Sequence, residues 1–432
     1  MAVLGRAPRV HLWHIGCQMN EADREDLAEQ FADIGFVPEV GLEEADLVVL
    51  ITCAVRQNAE QKVYGKFKEL GAWKRGRRGR AIALTGCMGV EHGSGLLERL
   101  PELDYVFDVR EADGFMAKLQ ALYAADLDGG VALPASDRLS AYVPVIGGCN
   151  EMCTYCIVPF VRGRESSRRV DEVVDDVRAL VGRGVREVTL LGQNVNSYRC
   201  PQTGAELAEL MAAVDTVGGL LRQRFLTSHP RNASPSLFAA MRDLPTACEQ
   251  LHLPVQAGDD ELLRRMRRVY SVEHYLDIIG RARATVPDMA LTTDIIVGFC
   301  GETEAEFLGT ERLMREVRFD VVHLAAYSVR PGTAAARRAD DVPRDEKKRR
   351  LNHLLALQRE IATERNADWV GRRVEVLVEG LAEDGRAYGR TRQGKIAHLP
   401  AGTAAPGEVH TATVRSATAW QLDAEPVPAA AA

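Results

Sequence analysis

Near the start of the chain three apolar runs, at 10–15, 46–52 and 80–85, each give way to a cysteine, the first and third by way of a glycine. Runs of this length and composition predict buried strands. Polar stretches of helical character lie between them, from about 20 to 34 and from past Cys53 to about 70, so the first 125 residues predict strand–helix–strand units of an open parallel sheet. Six further strand candidates follow, at 142–146, 187–191, 224–228, 250–255, 290–297 and 320–327, with helical stretches such as 170–181 and 305–317 between them. Six such units imply a parallel sheet curved into a partial or full barrel, with functional groups on the loops that follow the strands. A charged helix is expected over about 344–366. The segment 371–421 has short runs at 374–378, 395–399 and 411–414, split by Gly, Asp and Pro turns, which suggests a small β-barrel. The expected fold class is therefore α/β in three parts: an N-terminal open parallel α/β domain over 8–125, a central partial barrel of six βα units over 135–366, and a small C-terminal β-barrel over 367–425. A Gly-, Pro- and Ala-rich linker at 126–139 separates the first two, and the Ala/Pro-rich tail after 425 is expected to be disordered.

Composition narrows the setting. Of 432 residues, 46% are hydrophobic and 27% charged, near globular averages. No apolar stretch approaches the roughly 18 residues of a membrane helix, and residues 1–13 lack the apolar core of a secretory signal. A soluble, intracellular, cytoplasmic protein is expected. The net charge of −7 gives no global attraction to nucleic acid, so any polyanion site must be local. Nine cysteines, an odd number in a large intracellular chain, make a poor disulfide framework and a better metal or redox inventory.

The spacing of those cysteines carries the chemistry. Cys17, Cys53 and Cys87 each stand just past a predicted strand, 36 and 34 residues apart. Ligands bind outside the carboxyl ends of the strands in an open parallel sheet, so these three are expected to converge. Buried cysteines without a role are the plain alternative. Cys149, Cys153 and Cys156 form C-x₃-C-x₂-C directly after the first barrel strand. Iron–sulfur clusters are held by thiolates, and three on one loop can hold three irons of a 4Fe–4S cube and leave the fourth open. A structural zinc site normally takes four closed ligands, and Cys153 with Cys156 alone has the spacing of a thiol redox pair. These remain the alternatives.

With Tyr155 before its last cysteine, this motif on the first loop of a βα barrel resembles the radical S-adenosylmethionine superfamily. The resemblance implies that the open iron chelates S-adenosylmethionine, whose one-electron cleavage gives a 5′-deoxyadenosyl radical. Gly192-Gln193-Asn194-Val195-Asn196-Ser197-Tyr198 and Tyr327-Ser328-Val329-Arg330-Pro331-Gly332-Thr333 resemble blocks of the methylthiotransferase family within it. Gly389-Arg390-Thr391-Arg392 and His398-Leu399-Pro400 are similar to a TRAM domain. Thr227-Ser228-His229-Pro230 and Leu251-His252-Leu253-Pro254-Val255-Gln256 resemble the MiaB type, which thiomethylates isopentenylated adenosine next to the anticodon of tRNA. The chain departs from the family pattern at Cys300, Val329 and Arg169, where proline is usual.

For Cys17, Cys53 and Cys87 the resemblance implies a second, auxiliary 4Fe–4S cluster that carries the sulfur to be transferred. Cys200, Cys248 and Cys300 are expected to be ordinary residues. Cofactor contacts are expected from Tyr155, Gly192, Gln193, Gln256, Arg267, Gly298 and Glu302. The glycines either allow close backbone approach or merely turn the chain. Basic runs occur at 74–80, at Arg162, Arg164, Arg168 and Arg169, and at Arg264, Arg265, Arg267 and Arg268. An acidic protein that binds RNA needs such patches for phosphate contacts, and Arg162, Arg164, Arg168, Arg390 and Arg392 are the RNA-binding candidates. Residues 368–423 hold seven basic and seven acidic residues, so an RNA role there rests on the resemblance alone.

The expectation is a monomeric tRNA methylthiotransferase supplied with electrons by a flavodoxin- or ferredoxin-type donor; the sulfur source and a dedicated catalytic side chain are not indicated. Three rivals stay open: a sister enzyme for threonylcarbamoyladenosine in tRNA, a sister enzyme for an aspartate of a ribosomal protein, and a non-catalytic zinc-binding RNA-binding protein.

Overall fold

A computed structural model describes residues 4–53, 57–77, 79–127, 131 and 138–427. Most of the expected linker, Arg78 of the first basic run and the end of the tail lie outside the described residues. The chain divides into two units, Met1–Ser136 with Cys156–Arg164, and Asp137–Tyr155 with Glu165–Ala432.

In the first unit β1 (Val10–His14), β2 (Leu47–Thr52), β3 (Ala81–Gly86) and β4 (Tyr105–Val106) form one parallel sheet in that order. Helices α1 (Gln18–Asp33), α2 (Gln57–Arg75) and α3 (Cys87–His92) follow the first three strands. Every residue of β2 and β3 is buried. Alternation sends Leu47, Val49 and Ile51 into one core and Val48 and Leu50 into another. A strand covered on both faces must be apolar throughout, which is why these runs show no alternation in the sequence. The two residues of β4 are too few to carry a pattern and were not expected.

In the second unit six parallel strands run in chain order: Ser140–Pro144, Glu187–Leu191, Arg222–Phe225, Gln250–His252, Ala290–Val297 and Val321–Ala326. They pair as two sets of three. Gln223 N donates to Thr246 O at 2.8 Å and Cys248 N to Gln223 O at 3.0 Å, so the third strand is bridged to the chain entering the fourth. The result is an open arc of six βα units. Pro254 has no N–H to continue a ladder, and the fourth strand stops at His252 rather than at 255. Outside the arc, helices Pro235–Asp243, Val272–Thr285 and Glu304–Val317 start where Ser234, Ser271 and Thr303 accept the backbone N–H three residues on, each satisfying an orphan donor. The charged helix spans Arg344–Ala367. Among the described residues no helix is long and apolar enough to cross a membrane.

The C-terminal strands Arg373–Leu381, Ala387–Thr391, Ile396–Leu399, Val409–Ala417 and Gln421–Pro426 close into a barrel. The second and fifth were not expected. Gly389 interrupts the apolar pattern of the second because a Cβ there would stand 1.9 Å from Leu377 O. The turn after that strand meets the N-terminal ends of the arc. Arg224 donates to Thr391 O at 2.8 Å and Arg392 O at 2.7 Å while bonded to Glu187 at 3.0 and 3.1 Å. Fully buried Arg222 bonds Arg390 O at 2.7 Å and Glu375 at 2.8 Å, and Lys395 pairs with Asp320 at 2.7 Å.

Candidate functional site

The register of the N-terminal sheet brings the first three cysteines to one end. His14 lies opposite Ile51 and Ile51 opposite Thr85. Two residues further on, the three chains reach Gly16, Cys53 and Cys87, with Cys17 next. At Gly16, φ +132°, a Cβ would stand 2.5 Å from Cys53 Cβ and 3.1 Å from Cys53 Sγ, so only glycine lets the first loop approach the second. Cys17 is exposed while Cys53 and Cys87 are buried. Although the residue reaches the surface, loss of water around its sulfur raises the Cys17 thiol pKa, while the backbone N–H of Asn20 and the charge of Arg162 lower it. Cys87 packs with Ile157 and Val161 of the segment Cys156–Arg164.

In the second unit Cys149 and Cys153 are buried on the loop after the first barrel strand. Thr154 pins that loop: its N–H donates to Met266 O at 3.0 Å, its hydroxyl to Arg265 O at 3.0 Å, and its carbonyl accepts from Ala335 N at 2.7 Å. Burial pushes the Cys149 thiol up to about 11, a cost that binding to a cation removes because the ligand is then the thiolate. Arg268, also buried, donates through Nη1 to Cys153 Sγ at 3.4 Å. Half-buried Cys156 opens the segment that belongs to the first unit. Tyr155 packs against the barrel core.

Around the strand ends of the arc several buried polar atoms have no hydrogen-bond partner: Gln193 Oε1, Asn194 Oδ1, Ser197 Oγ, Ser228 Oγ, His229 Nε2, Glu302 Oε1 and Tyr327 Oη. Such a concentration marks a place where a polar ligand completes the bonding. His229 Nδ1 accepts from Arg231 N at 3.2 Å, which leaves Nε2–H as a free donor. Burial, with Arg268 and Arg231 nearby, lowers the His229 pKa to about 2, so the ring is neutral at physiological pH. Beside it, Asn150, Glu165, Asn194, Asn196 and Arg231 line a cavity of about 460 Å³.

The remaining cofactor candidates separate by geometry. A Cβ on Gly192 would meet Ile146 Cγ2 at 2.4 Å and one on Gly298 would meet Lys347 Cγ at 2.4 Å, so both glycines make room for the protein's own side chains. Glu302 accepts from Gly298 N at 2.5 Å and Arg350 Nη1 at 2.7 Å, fixing the loop between them with one oxygen and leaving the other unpaired. Gln256 is buried at φ +74°, its backbone bridging to the fifth strand. Arg267 is exposed at φ +58°; its neighbour Arg268 is the one turned inward. Adjacent arginines give no sign in sequence of which is buried, and Arg268 was missed for that reason. His252, part of the Leu251–Gln256 block, has its ligand-type atom within 4.8 Å of those of Asp294 and His323 on the next two strands, two residues that sequence reasoning did not single out.

Among the RNA-binding candidates, Arg164 is exposed, Arg168 is half-buried and pairs with Asp176 at 2.7 Å, and Arg390 pairs with Glu379 at 3.0 Å on the surface. Arg392 is bound to Glu249 at 2.9 Å and Pro245 O at 3.0 Å between the two barrels. Arg162 is buried against Asp23 and Cys87. Of the three departures, Arg169 keeps a proline-like φ of −71° and uses its N–H to bond Glu172 at 3.1 Å, Cys300 is buried with Sγ directed at Ala335 O, and Val329 is exposed.

Known proteins match this arrangement part by part. Sequence models match for an uncharacterized protein family, UPF0004, at 9–108, for the Radical SAM superfamily at 143–314 and for the TRAM domain at 369–427. Among solved structures, the radical S-adenosylmethionine methyltransferase TsrM from Kitasatospora setae shares the fold with a TM-score of 0.59 at 14% identity, over 76% of this chain and 75% of that one. The fold and the cysteine loop thus define a radical S-adenosylmethionine enzyme. Two curated relatives narrow this further, both called tRNA-2-methylthio-N(6)-dimethylallyladenosine synthase. That of Acetivibrio thermocellus is 42% identical, covering 94% of this chain and 88% of its own length; that of Frankia alni is 43% identical, covering 95% and 87%. The chain belongs to the family of the tRNA-2-methylthio-N(6)-dimethylallyladenosine synthases.

Proposed function

We propose that this protein adds a methylthio group to C2 of N6-isopentenyladenosine next to the anticodon of tRNA, using two 4Fe–4S clusters and S-adenosylmethionine. The observation that carries the reading is the register that sets Cys17, Cys53 and Cys87 past the ends of adjacent strands, in a chain that also bears Cys149, Cys153 and Cys156. The donor sets fit the groups: Gly16 lets the loop of Cys17 close on Cys53, Cys87 follows the neighbouring strand, and a buried guanidinium on Cys153 suits an anionic cluster thiolate. When bound, the clusters and S-adenosylmethionine supply one-electron cleavage of a sulfonium, hydrogen abstraction and the sulfur to be transferred.

The chain's own residues position and shield. Thr154 holds the cysteine loop on the barrel, and Arg268 donates to the sulfur of Cys153. Gln193, Asn194 and Ser228 offer unpaired polar atoms to S-adenosylmethionine or the acceptor nucleoside. Neutral His229 offers Nε2–H as a donor at all physiological pH. Glu302, tied to Arg350, shapes the glycine loop 298–301. Arg164 and Arg390 are exposed for phosphate contact. The protein acts as a monomer in the cytoplasm, where its tRNA is, and takes electrons from a flavodoxin- or ferredoxin-type donor.

The test is iron and sulfide analysis after anaerobic reconstitution, followed by assay on isopentenylated tRNA. Two clusters per chain and methylthiolation are expected. Zinc without iron or sulfide would overturn the reading.

A further inference from the structure

Arg162 was a candidate for RNA phosphate, yet its side chain is only 10% exposed. Nη2 donates to Asp23 Oδ2 at 2.6 Å and to Asn20 Oδ1 at 3.1 Å, and Nη1 to Asp23 Oδ1 at 3.3 Å. Nε donates to Cys87 Sγ at 3.4 Å. Asn20, fully buried, is itself fixed by donating to Ile15 O at 2.7 Å, and its Oδ1 faces Cys17 Sγ at 3.9 Å. The sulfurs of Cys17 and Cys87 therefore face one small polar network centred on Arg162.

A charge this buried persists only when paired and hydrogen-bonded. Burial works against the guanidinium, while Asp23 and Cys87 hold it charged. Asp23 occupies the two terminal nitrogens, so the edge left for sulfur is Nε–H. We infer that Arg162 is a positioning residue of the auxiliary cluster: it donates to the Cys87 thiolate, and its charge, balanced by Asp23, sets that cluster's reduction potential. The inference rests on the reading of Cys17, Cys53 and Cys87 as cluster ligands. Reduction adds negative charge to a cluster, so a nearby cation and a hydrogen bond to its sulfur raise the potential. Asp23 opposes part of that field. The two residues must therefore act with opposite signs.

The experiment uses the full chain carrying Cys149→Ala and Cys153→Ala, which leaves the auxiliary cluster as the single spectroscopic centre. Its midpoint potential is read by redox titration followed by electron paramagnetic resonance. Arg162→Gln is expected to shift the potential negative, Asp23→Asn to shift it positive, and Arg162→Lys to fall between wild type and Arg162→Gln. A structural role alone would move both main variants the same way or cost iron in both. Unchanged potentials, or shifts of one sign, overturn the inference. If Arg162→Gln binds no iron, Asp23→Asn decides: a positive shift supports the inference and none overturns it. If the background protein with Arg162 and Asp23 intact holds no cluster, the reading of the three cysteines fails, and the inference falls with it.

Discussion

Arg268 Nη1 stands 3.4 Å from the sulfur of Cys153, across 115 residues of sequence. Its Nε donates to the Tyr270 hydroxyl at 2.7 Å and its Nη2 to Pro254 O at 2.7 Å. The guanidinium is thus fixed on both flanks by the fourth barrel unit, and its remaining edge is aimed at the cysteine loop. A hydrogen bond to a charged group contributes about 1.5–3 kcal/mol, roughly a tenfold to hundredfold effect if it is lost at the reacting centre. Arg268→Gln should lower reductive formation of 5′-deoxyadenosine by about that factor, with Arg268→Lys retaining part. An unchanged rate in Arg268→Gln with full iron would show that the contact has no bearing on the cluster.

The two cysteine sets should fail differently. Cys153→Ala should abolish 5′-deoxyadenosine formation. Cys53→Ala should lower iron toward one cluster, keep some cleavage of S-adenosylmethionine and lose methylthiolation altogether. Retention of two full clusters by Cys53→Ala would contradict the convergence at the strand ends.

His229 makes an acid-stability prediction. Its pKa is lowered to about 2 in the folded chain by burial and two arginines, against about 6.5 unfolded. The unfolded state therefore binds the extra proton, so the stability this ring contributes is present above pH 6.5 and lost progressively as pH falls toward 2. At pH 5 the loss is about 2 kcal/mol. Urea unfolding at pH 7.5 and pH 5 should show His229→Gln losing about that much less between the two conditions than wild type.

Arg390 and Arg392 sit two residues apart and should behave unlike each other. Arg390 is half-exposed, and Arg392 is held by Glu249 and Pro245 O at the junction of the two barrels. Arg390→Ala should weaken tRNA binding and flatten its salt dependence by about one ion with little change in melting temperature. Arg392→Ala should lower the melting temperature. Filter binding at several salt concentrations and calorimetry separate the two effects.

The parts legible in the sequence were those written by burial on both faces. The strand Ala290–Val297 and the helix starting at Val170 are found where the apolar pattern puts them, and the cysteines were conspicuous because they end such runs. The strand Ala387–Thr391 was hidden because Gly389 is dictated by a backbone crossing at Leu377 and not by alternation. Arg162 and Arg392 read as surface charges because the acids that bury them, Asp23 and Glu249, are 139 and 143 residues away. Charge runs show where cations are in the chain; only the fold shows which are already paired.

The acceptor nucleoside is read out by nucleoside mass spectrometry of tRNA from cells lacking this protein. The expected result is loss of 2-methylthio-N6-isopentenyladenosine with accumulation of N6-isopentenyladenosine, restored by the wild-type chain and not by Cys53→Ala. Persistence of the methylthiolated isopentenyl nucleoside, with loss of the methylthio group from threonylcarbamoyladenosine instead, would contradict it.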